Sequence, residues 1–286
     1  MENIISIESI VSALRTKRPD LEISVNETIK NKQKLQGITI KSPATNIAPN
    51  IYVENYIKTF DSVDAIANAI LNTYEEHKCF DNFNVSDILN KDYICDHVYP
   101  LLQQASDEPL IKMPIPEAFH GAEAYLAIVS HTDDENTFSI KLTPQILASA
   151  NVDIESDHLF ERALANLKEQ VVITSLYETI KQMTGMPDDC DMPFPFDEQL
   201  FVITNKSKTK GASAILCDDI LRGFAKEHNI EDGFFILPSS TSECIIVLDN
   251  HEMNIDTLSE MVQSVNQNEV AKEDWLASEA WYYSLK

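Results

Sequence analysis

The last third of the chain alternates short apolar runs with amphipathic stretches, and this cadence limits the possible folds more than any other feature. Two strands followed by a helix predict an antiparallel or mixed sheet with helices packed on one face, not a doubly wound parallel sheet. We therefore predict an α+β fold whose C-terminal part has the order ββα-ββα(β). The predicted strands are Leu200–Thr204, Gly211–Leu216, Phe234–Leu237, Cys244–Leu248 and an edge strand Trp281–Leu285, with helices starting at Asp218 and at Asp256 or Thr257.

The earlier part of the chain also mixes helices and strands. Alternating apolar residues in Leu21–Lys30 and Leu35–Lys41 predict a hairpin. The stretch 171–183 starts like a strand with Val171, but its apolar residues keep helical spacing, which favours a helix. The other predicted elements are helices at 4–15, 63–78, 85–104, 155–169 and from Thr143-Pro144, and strands at Ala124–Ser130 and Thr137–Leu142.

The segment 185–199 is the best predicted boundary in the chain. It combines Pro187, Pro193 and Pro195 with a run of acidic residues, a composition typical of a linker. We predict an N-terminal α+β region over 1–184, a Pro/Asp-rich linker over 185–199 and a C-terminal region over 200–286.

The charge balance is strongly acidic. The chain has 46 Asp and Glu residues against 22 Lys and Arg residues, a formal net charge of −24, although the first fifty residues are mildly basic. A negative field repels phosphate, which disfavours direct binding to nucleic acid or to an anionic membrane. The acidity either keeps the protein soluble or attracts a protein partner with a basic surface, in one version by mimicking nucleic acid.

Cysteine usage and hydropathy predict a cytoplasmic protein. The five cysteines lie far apart and form no metal-binding pair, which suits thiols in a reducing compartment. The N-terminus starts acidic and has no long apolar run, and no stretch approaches the roughly 20 apolar residues of a membrane span.

The motifs of the common cofactor enzymes are missing from the sequence. With only six glycines, the chain has no glycine-rich loop that would bring backbone amides to a phosphate, and it has no HExxH motif. His131 with Asp133 and Asp134, and the acidic loop 188–191, are more typical of solvated loops than of metal sites. We expect no cofactor and no metal, and we assign no catalytic residue.

A basic island, residues 204–211, interrupts the acidic chain. Lys206, Lys208 and Lys210 alternate with polar residues between Asn205 and Gly211. Lysines at this spacing contact an anion, or they line a hairpin loop and keep a sheet edge soluble. We treat all five residues as binding candidates.

The turn that follows Pro238 is the second candidate site. Ser239, Ser240 and Glu243 lie in a hydroxyl-rich turn between two apolar strands. A serine nucleophile needs a base within reach and an oxyanion hole, and no flanking glycine exposes these hydroxyls. Hydrogen bonds to the backbone of the turn are the alternative, although polar loop tips between buried strands also suit binding sites.

Three stretches of the chain resemble one family. They are KNKQKLQGITIKSPATNIAPNIYVENYIKTF, TPQILASANVDIESDHLFERALANLKE and the C-terminal run that begins LFVITNKSKTKGASAILCDD. Together they resemble an uncharacterised domain-of-unknown-function family of gut Clostridia-type bacteria, a resemblance that implies no activity. Ser242 stands where the family pattern has a histidine. The residues that match the pattern are Asn205, Gly211, Pro238, Ser239, Ser240 and Glu243.

Three functional hypotheses follow. The first is a non-enzymatic binding or regulatory module. The second is a hydrolase or transferase with an unfamiliar site near the Pro-Ser-Ser turn, which requires Asn205, Ser239, Ser240 and Glu243 to converge in one concave pocket. The third is an acidic nucleic-acid mimic that binds a basic protein.

Overall fold

The structure, a computed structural model, describes residues 5–30, 33–43, 48, 50–77, 85–131, 137–185, 199–249 and 254–286. The chain forms two compact units, Met1–Ile88 and Leu89–Lys286. The predicted linker at 185–199 falls almost entirely outside the described residues, so its linker character stays a prediction.

The first unit packs helices onto a three-stranded antiparallel sheet with the order β1-β2-β3. The predicted hairpin is confirmed, with Val25 opposite Ile38. The core of the first unit includes the fully buried side chains of Ile10, Leu14, Ile38 and Ile70. The elements are α1 (Ile7–Lys17), β1 (Glu22–Lys30), β2 (Gln33–Lys41), β3 (Asn50–Tyr52), α2 (Glu54–Thr59) and α3 (Val63–His77).

The second unit contains two antiparallel sheets. Its first half comprises α4 (Lys91–His97), β4 (Val98–Gln104), β5 (Lys112–Met113), β6 (Ala122–His131), β7 (Thr137–Lys141), α5 (Pro144–Ala150) and α6 (Leu159–Lys168). Its second half comprises β8 (Val171–Ser175), α7 (Leu176–Thr184), β9 (Leu200–Asn205), α8 (Asp218–Glu227), β10 (Gly233–Leu237), β11 (Cys244–Leu248), α9 (Ile255–Asn268) and β12 (Trp281–Ser284).

The two sheets of the second unit share one core. In the first sheet, β6 pairs with β4, β5 and β7, while the second sheet has the order β12-β10-β11-β9-β8. Leu102 and Ala124 of the first sheet join Ile203 and Phe234 of the second in a single buried cluster. The predicted α+β class with antiparallel sheets is confirmed.

Helices α8 and α9 cover opposite faces of the five-stranded sheet instead of sharing one. Phe224 of α8 packs in the cluster that contains Phe234, whereas Leu258 of α9 packs with Phe235. Successive residues of a strand point to opposite faces. The sheet is therefore enclosed by a helix on each side at β10.

Three predicted elements are wrong. Gly211–Leu216 is a 3-10 helix and not a strand, because its small residues are buried against neighbouring elements and need no ladder. The stretch 171–183 is a strand over Val171–Ser175 and a helix only from Leu176, where Ser175 caps the helix by accepting from the Glu178 amide.

The predicted helix 85–104 is the third error. It is a 3-10 helix at Val85–Leu89, then α4, then strand β4. Pro100, a residue that favours the end of a helix, lies within β4, and among the described strands β4 pairs with β6 alone. An edge strand tolerates proline because the missing N–H faces away from the ladder.

Replacing Trp281 with alanine should destabilise the second unit. The Trp281 side chain is fully buried, its ring lies 5.1 Å from the ring of Phe119, and its Nε1 donates to the His120 carbonyl at 3.0 Å. We expect the free energy of unfolding in urea to fall by about 3–5 kcal/mol, the usual cost of emptying such a site. Ser284→Ala, in the same strand but exposed, is the control and should change it by less than about 0.5 kcal/mol.

Candidate functional site

The two predicted candidate loops lie against each other in the second unit. The lysine loop, residues 206–210, follows β9, and the serine turn, residues 238–243, joins β10 to β11. Thr204 donates from Oγ1 to the Ser242 carbonyl at 2.8 Å, and the Ala212 amide donates to the Thr241 carbonyl at 3.2 Å. These two bonds fix the end of β9 and the segment after the lysine loop to the serine turn.

Gly211, directly after the lysine loop, lies in close contact with the end of β9 and with the serine turn. A Cβ at this position would lie 2.3 Å from Thr204 Oγ1, 2.5 Å from the Asn205 amide nitrogen and 2.8 Å from the Ser242 carbonyl oxygen. Two of these atoms belong to the backbone, so they cannot rotate away. The contact explains physically why this position carries glycine.

Asn205 organises the lysine loop. Its Nδ2 donates to the Thr209 carbonyl at 2.9 Å, and its Oδ1 accepts from the Thr209 amide at 3.2 Å and from the Ser207 hydroxyl at 3.1 Å. The loop also contains two left-handed residues, Lys208 and Lys210, with φ of 54° and 52°. The side-chain amide of Asn205 therefore holds the fold of the loop.

The three lysines of the loop differ in their surroundings. Lys206 and Lys208 are exposed. Lys210 is half-buried, and its Nζ donates to Ser139 Oγ of β7 at 2.9 Å. Lys206 and Lys208 are thus open to an anion from solvent. Lys210 would first have to break its hydrogen bond to Ser139.

A small cavity lies beneath the lysine loop. Its volume is about 20 Å³, and Asn205, Thr209 and Lys210 line it together with Tyr99 and Ser139. Small-molecule sites usually have about 300–1,000 Å³, whereas a single water needs about 10–15 Å³ on this measure. The cavity is therefore large enough for a water molecule and too small for a substrate.

The serine turn is fastened to the segment that precedes β12. The Pro238 carbonyl accepts from the Ala277 amide at 3.0 Å, and the Thr241 amide donates to the Asp274 carbonyl at 2.8 Å. Ser240 is only 7% exposed, and its Oγ accepts from the Ser242 amide at 3.0 Å. The turn thus uses its hydroxyl groups in the way that turn chemistry predicts.

Glu243 is the titratable group of this turn. Burial raises the pKa of its carboxyl above the ordinary glutamate value, the negative charge of Asp274 raises it further, and a hydrogen bond with Ser240 opposes the rise. A carboxyl that is costly to ionise beside a hydroxyl is a feature of some catalytic sites. Here the hydroxyl belongs to a buried serine.

Sequence reasoning missed a polar network on the four-stranded sheet. Glu123 Oε1 accepts from Gln103 at 2.8 Å and from Ser106 at 2.7 Å, while Oε2 pairs with Lys112 at 2.7 Å. Lys141 bridges Gln103 and Glu108 at 2.9 and 2.7 Å. Hydrogen bonds and opposite charges satisfy the acids and lysines alike, so the network stabilises the sheet. No motif signals it, because its members lie up to 38 positions apart.

The two loops that were weighed as metal sites and interpreted as solvated loops lie almost entirely outside the described residues. Asp133 and Asp134 lie outside the described residues, as does the acidic loop 188–191. Over the part of the chain that the structure does describe, no group of three or more His, Cys, Asp or Glu side chains is arranged to hold a metal ion. Helices in that part are also too short or too polar to cross a membrane.

A protein-family model matches nearly the whole chain. Residues 6–285 match a family of unknown function, DUF5688. The chain belongs to DUF5688. The match covers both compact units of the DUF5688 chain. No curated protein and no solved structure matches the chain.

Gly211→Ala should destabilise the DUF5688 chain. The added methyl group would overlap backbone atoms of Asn205 and Ser242, and such overpacking typically costs about 1–3 kcal/mol. Gly223→Ala is the matched control: its Cβ would meet nothing within 4 Å, and alanine in the middle of α8 should stabilise by about 0.5–1 kcal/mol. Urea unfolding of the two variants should therefore shift in opposite directions, and equal shifts would contradict the close approach at Gly211.

Glu243→Gln should change the pH dependence of stability. The raised pKa means that the folded state disfavours the ionised carboxyl of Glu243 more than the unfolded state does. Its contribution to the free energy of unfolding is therefore complete below the ordinary pKa of 4.5, and it is lost as the pH rises through the folded-state pKa. The variant cannot ionise here, so its stability relative to the wild type should increase from about pH 4 to about pH 7.

Glu123→Gln provides the control of opposite sign. Burial alone would raise the pKa of Glu123, but hydrogen bonds from Lys112, Gln103 and Ser106 lower it overall. The wild-type advantage over this variant is therefore present above the ordinary pKa and falls as the pH drops through the lowered one. Urea unfolding from about pH 2 to about pH 7 covers both transitions; parallel profiles would refute the assignment for Glu243.

Proposed function

We propose that this DUF5688 chain is a non-enzymatic binding module whose partner is a protein with a basic surface. The observation that carries the proposal is the excess of carboxylates: with 46 acidic and 22 basic residues, 24 negative charges have no cation of the chain to neutralise them. A surface of this kind speeds encounter with a positively charged partner and repels phosphate. The partner is therefore a protein and neither nucleic acid nor an anionic membrane.

The geometry of the two candidate loops supports binding over catalysis. The cavity beneath the lysine loop has only about 20 Å³. Asn205 and Ser240, two of the residues that an active site would need, make hydrogen bonds within their own loops. In this proposal Lys206 and Lys208 contribute solubility or a contact at the edge of an interface, not a phosphate site.

The enzymatic alternative has one observation in its favour. Glu243 has a raised pKa and a hydrogen bond with Ser240, the pair that a hydrolase or transferase would use as base and nucleophile. Against it stands the burial of Ser240, which leaves its hydroxyl closed to a substrate.

We also propose that the protein is located in the cytoplasm of a gut Clostridia-type bacterium. This origin rests on the resemblance of the three sequence stretches.

Affinity capture at two salt concentrations tests the proposed function. The immobilised chain should retain a basic protein from a lysate of the cells that express it at about 0.1 M salt and release it at about 0.5 M, because salt screens exposed charges. The control is an unrelated protein of similar net charge. Retention of the same proteins by the control, or retention that survives high salt, would contradict the proposal. Release by duplex DNA at constant ionic strength would favour the nucleic-acid mimic.

A further inference from the structure

An open groove runs between α1 and the outer edge of β1 in the first unit. Its volume is about 610 Å³, within the range of roughly 300–1,000 Å³ that is usual for ligand sites. Side chains of α1 between Glu8 and Thr16 form one wall, and Ser24 and Val25 of β1 form the other. We call this surface the β1 groove. Its α1 wall extends over about 12 Å, the length of about four residues of extended chain.

The β1 side of the groove presents unpaired backbone groups. Strand β1 is the first in the sheet order β1-β2-β3, and opposite residues of an antiparallel pair exchange either both backbone hydrogen bonds or none. Glu27 is opposite Gln36, whose carbonyl accepts from the Val53 amide on the β3 side at 3.1 Å, so these two exchange none. Glu27 and, two residues earlier, Val25 therefore direct their N–H and C=O groups away from β2. No group in the part of the chain that the structure describes bonds to them.

Arg15 closes one end of this free edge. Its Nη2 donates to the Ile23 carbonyl at 2.6 Å, and Ile23 faces outward as Val25 does. An added antiparallel strand that pairs with Val25 is blocked at Ile23, because Arg15 occupies the carbonyl to which its next residue would donate. A guanidinium has five N–H donors. Nowhere in the described ranges does an Asp or Glu form an ion pair with Arg15, so its other donors lie where an added strand has to end.

We propose that the β1 groove binds the C-terminal tail of a partner protein as an added β-strand. The tail runs antiparallel to β1, the commoner orientation, and its main chain bonds to Val25 and Glu27. This direction brings the end of the tail to the start of β1, where its terminal carboxylate binds Arg15. An apolar side chain of the tail covers Val25, which is 47% exposed.

The charge of this region favours a carboxylate. The first fifty residues are mildly basic, although the whole chain has a formal net charge of −24. A carboxylate therefore meets less repulsion in the β1 groove than near the acidic remainder of the chain. The inference goes beyond the proposed function, because this site lies in the first unit and takes an extended chain end, not a basic surface.

Binding of a defined peptide to the full chain tests the β1 groove. The probe is the peptide Lys-Thr-Val-Thr-Val with a fluorophore on its N-terminus and a free C-terminal carboxylate. Because main-chain bonds supply the affinity, the sequence of the probe only has to favour an extended chain. Fluorescence anisotropy at about 0.1 M salt measures the dissociation constant. The same peptide with a C-terminal amide should bind about tenfold or more weakly, because it loses the charge-assisted bonds to Arg15.

Two variants remove the two halves of the site. Val25→Pro removes the outward amide and leaves the ladder to β2 in place, since an edge strand tolerates proline on its free side. Val25→Ala keeps this amide and is the matched control. Arg15→Gln removes the charge that meets the end of the tail, and its matched control, Lys41→Gln, removes one exposed positive charge of the first unit outside the groove.

We expect Val25→Pro and Arg15→Gln each to weaken binding of the free-acid peptide about tenfold or more. The two control variants should weaken it less than about threefold. Arg15→Gln should also bind the acid and amide peptides equally, an effect that a merely destabilised fold would not produce. Circular dichroism shows that each variant is folded, and Arg15→Gln with the two peptides decides the test if the proline variant does not fold.

Three results would overturn the β1 groove. They are failure of the free-acid peptide to bind the wild type, equal binding of the acid and amide peptides to the wild type, and an unchanged affinity in Arg15→Gln. An amide-capped peptide that ends in aspartate and binds as tightly as the free acid would also overturn the proposal, because the site would then take an acidic side chain. Sedimentation that shows dimers of the wild type but not of Val25→Pro would assign the edge to a second copy instead.

Discussion

The joint burial of two sheets in one core is the constraint on which the second unit depends. Ile203 and Phe234 of the five-stranded sheet pack with Leu102 and Ala124 of the four-stranded sheet, and Trp281 closes the cluster from the C-terminal strand. Residues separated by more than 150 positions must meet before any part of this core is complete. The lysine loop and the serine turn are connected to strands of this core, so the packing of the core determines their positions.

Two populations of carboxylates emerge from the structure. One population belongs to the architecture: Glu123 is enclosed by hydrogen bonds and a lysine, and Asp218 joins Arg222 to the hydroxyl of Tyr283. The other, represented by Glu260 and Glu269, has no counter-charge in the described chain. Carboxylates of the first kind connect elements of the fold, whereas Glu260 and Glu269 are exposed to solvent.

Periodicity predicted the fold wherever burial and local pattern agreed. The hairpin around Val25 and the helix α8 were readable because each buries one face, and β10 and β11 were readable because short continuous apolar runs are typical of buried strands. The pattern failed at Gly211–Leu216, which is buried all round, and at Pro100, whose effect depends on being at a sheet edge. Neither enclosure nor edge position is a property of a local sequence window.

The candidate residues were found by sequence, but their roles were not. Asn205 and Gly211 stood out by composition and resemblance, yet their hydrogen bonds and contacts involve Thr209, Ser242 and other atoms that only the folded chain brings near. The sequence predicted a helix from Asp256 or Thr257. Which of its apolar side chains the sheet covers depends on the fold: Leu258 is buried with Phe235, whereas Met261 is half-exposed.

Pro100 has a consequence for self-association. The residue opposite it, Leu126, directs its amide and carbonyl to Ile111 and Leu142, so the backbone of Pro100 faces the outside of the sheet. A foreign strand approaching this rim would find one donor missing, and the neighbouring Val98 carbonyl already accepts from Asn166 at 3.0 Å. An edge blunted in this way resists the strand-by-strand addition that leads to aggregation and amyloid. The proline that breaks the sequence pattern thus protects the sheet against uncontrolled growth.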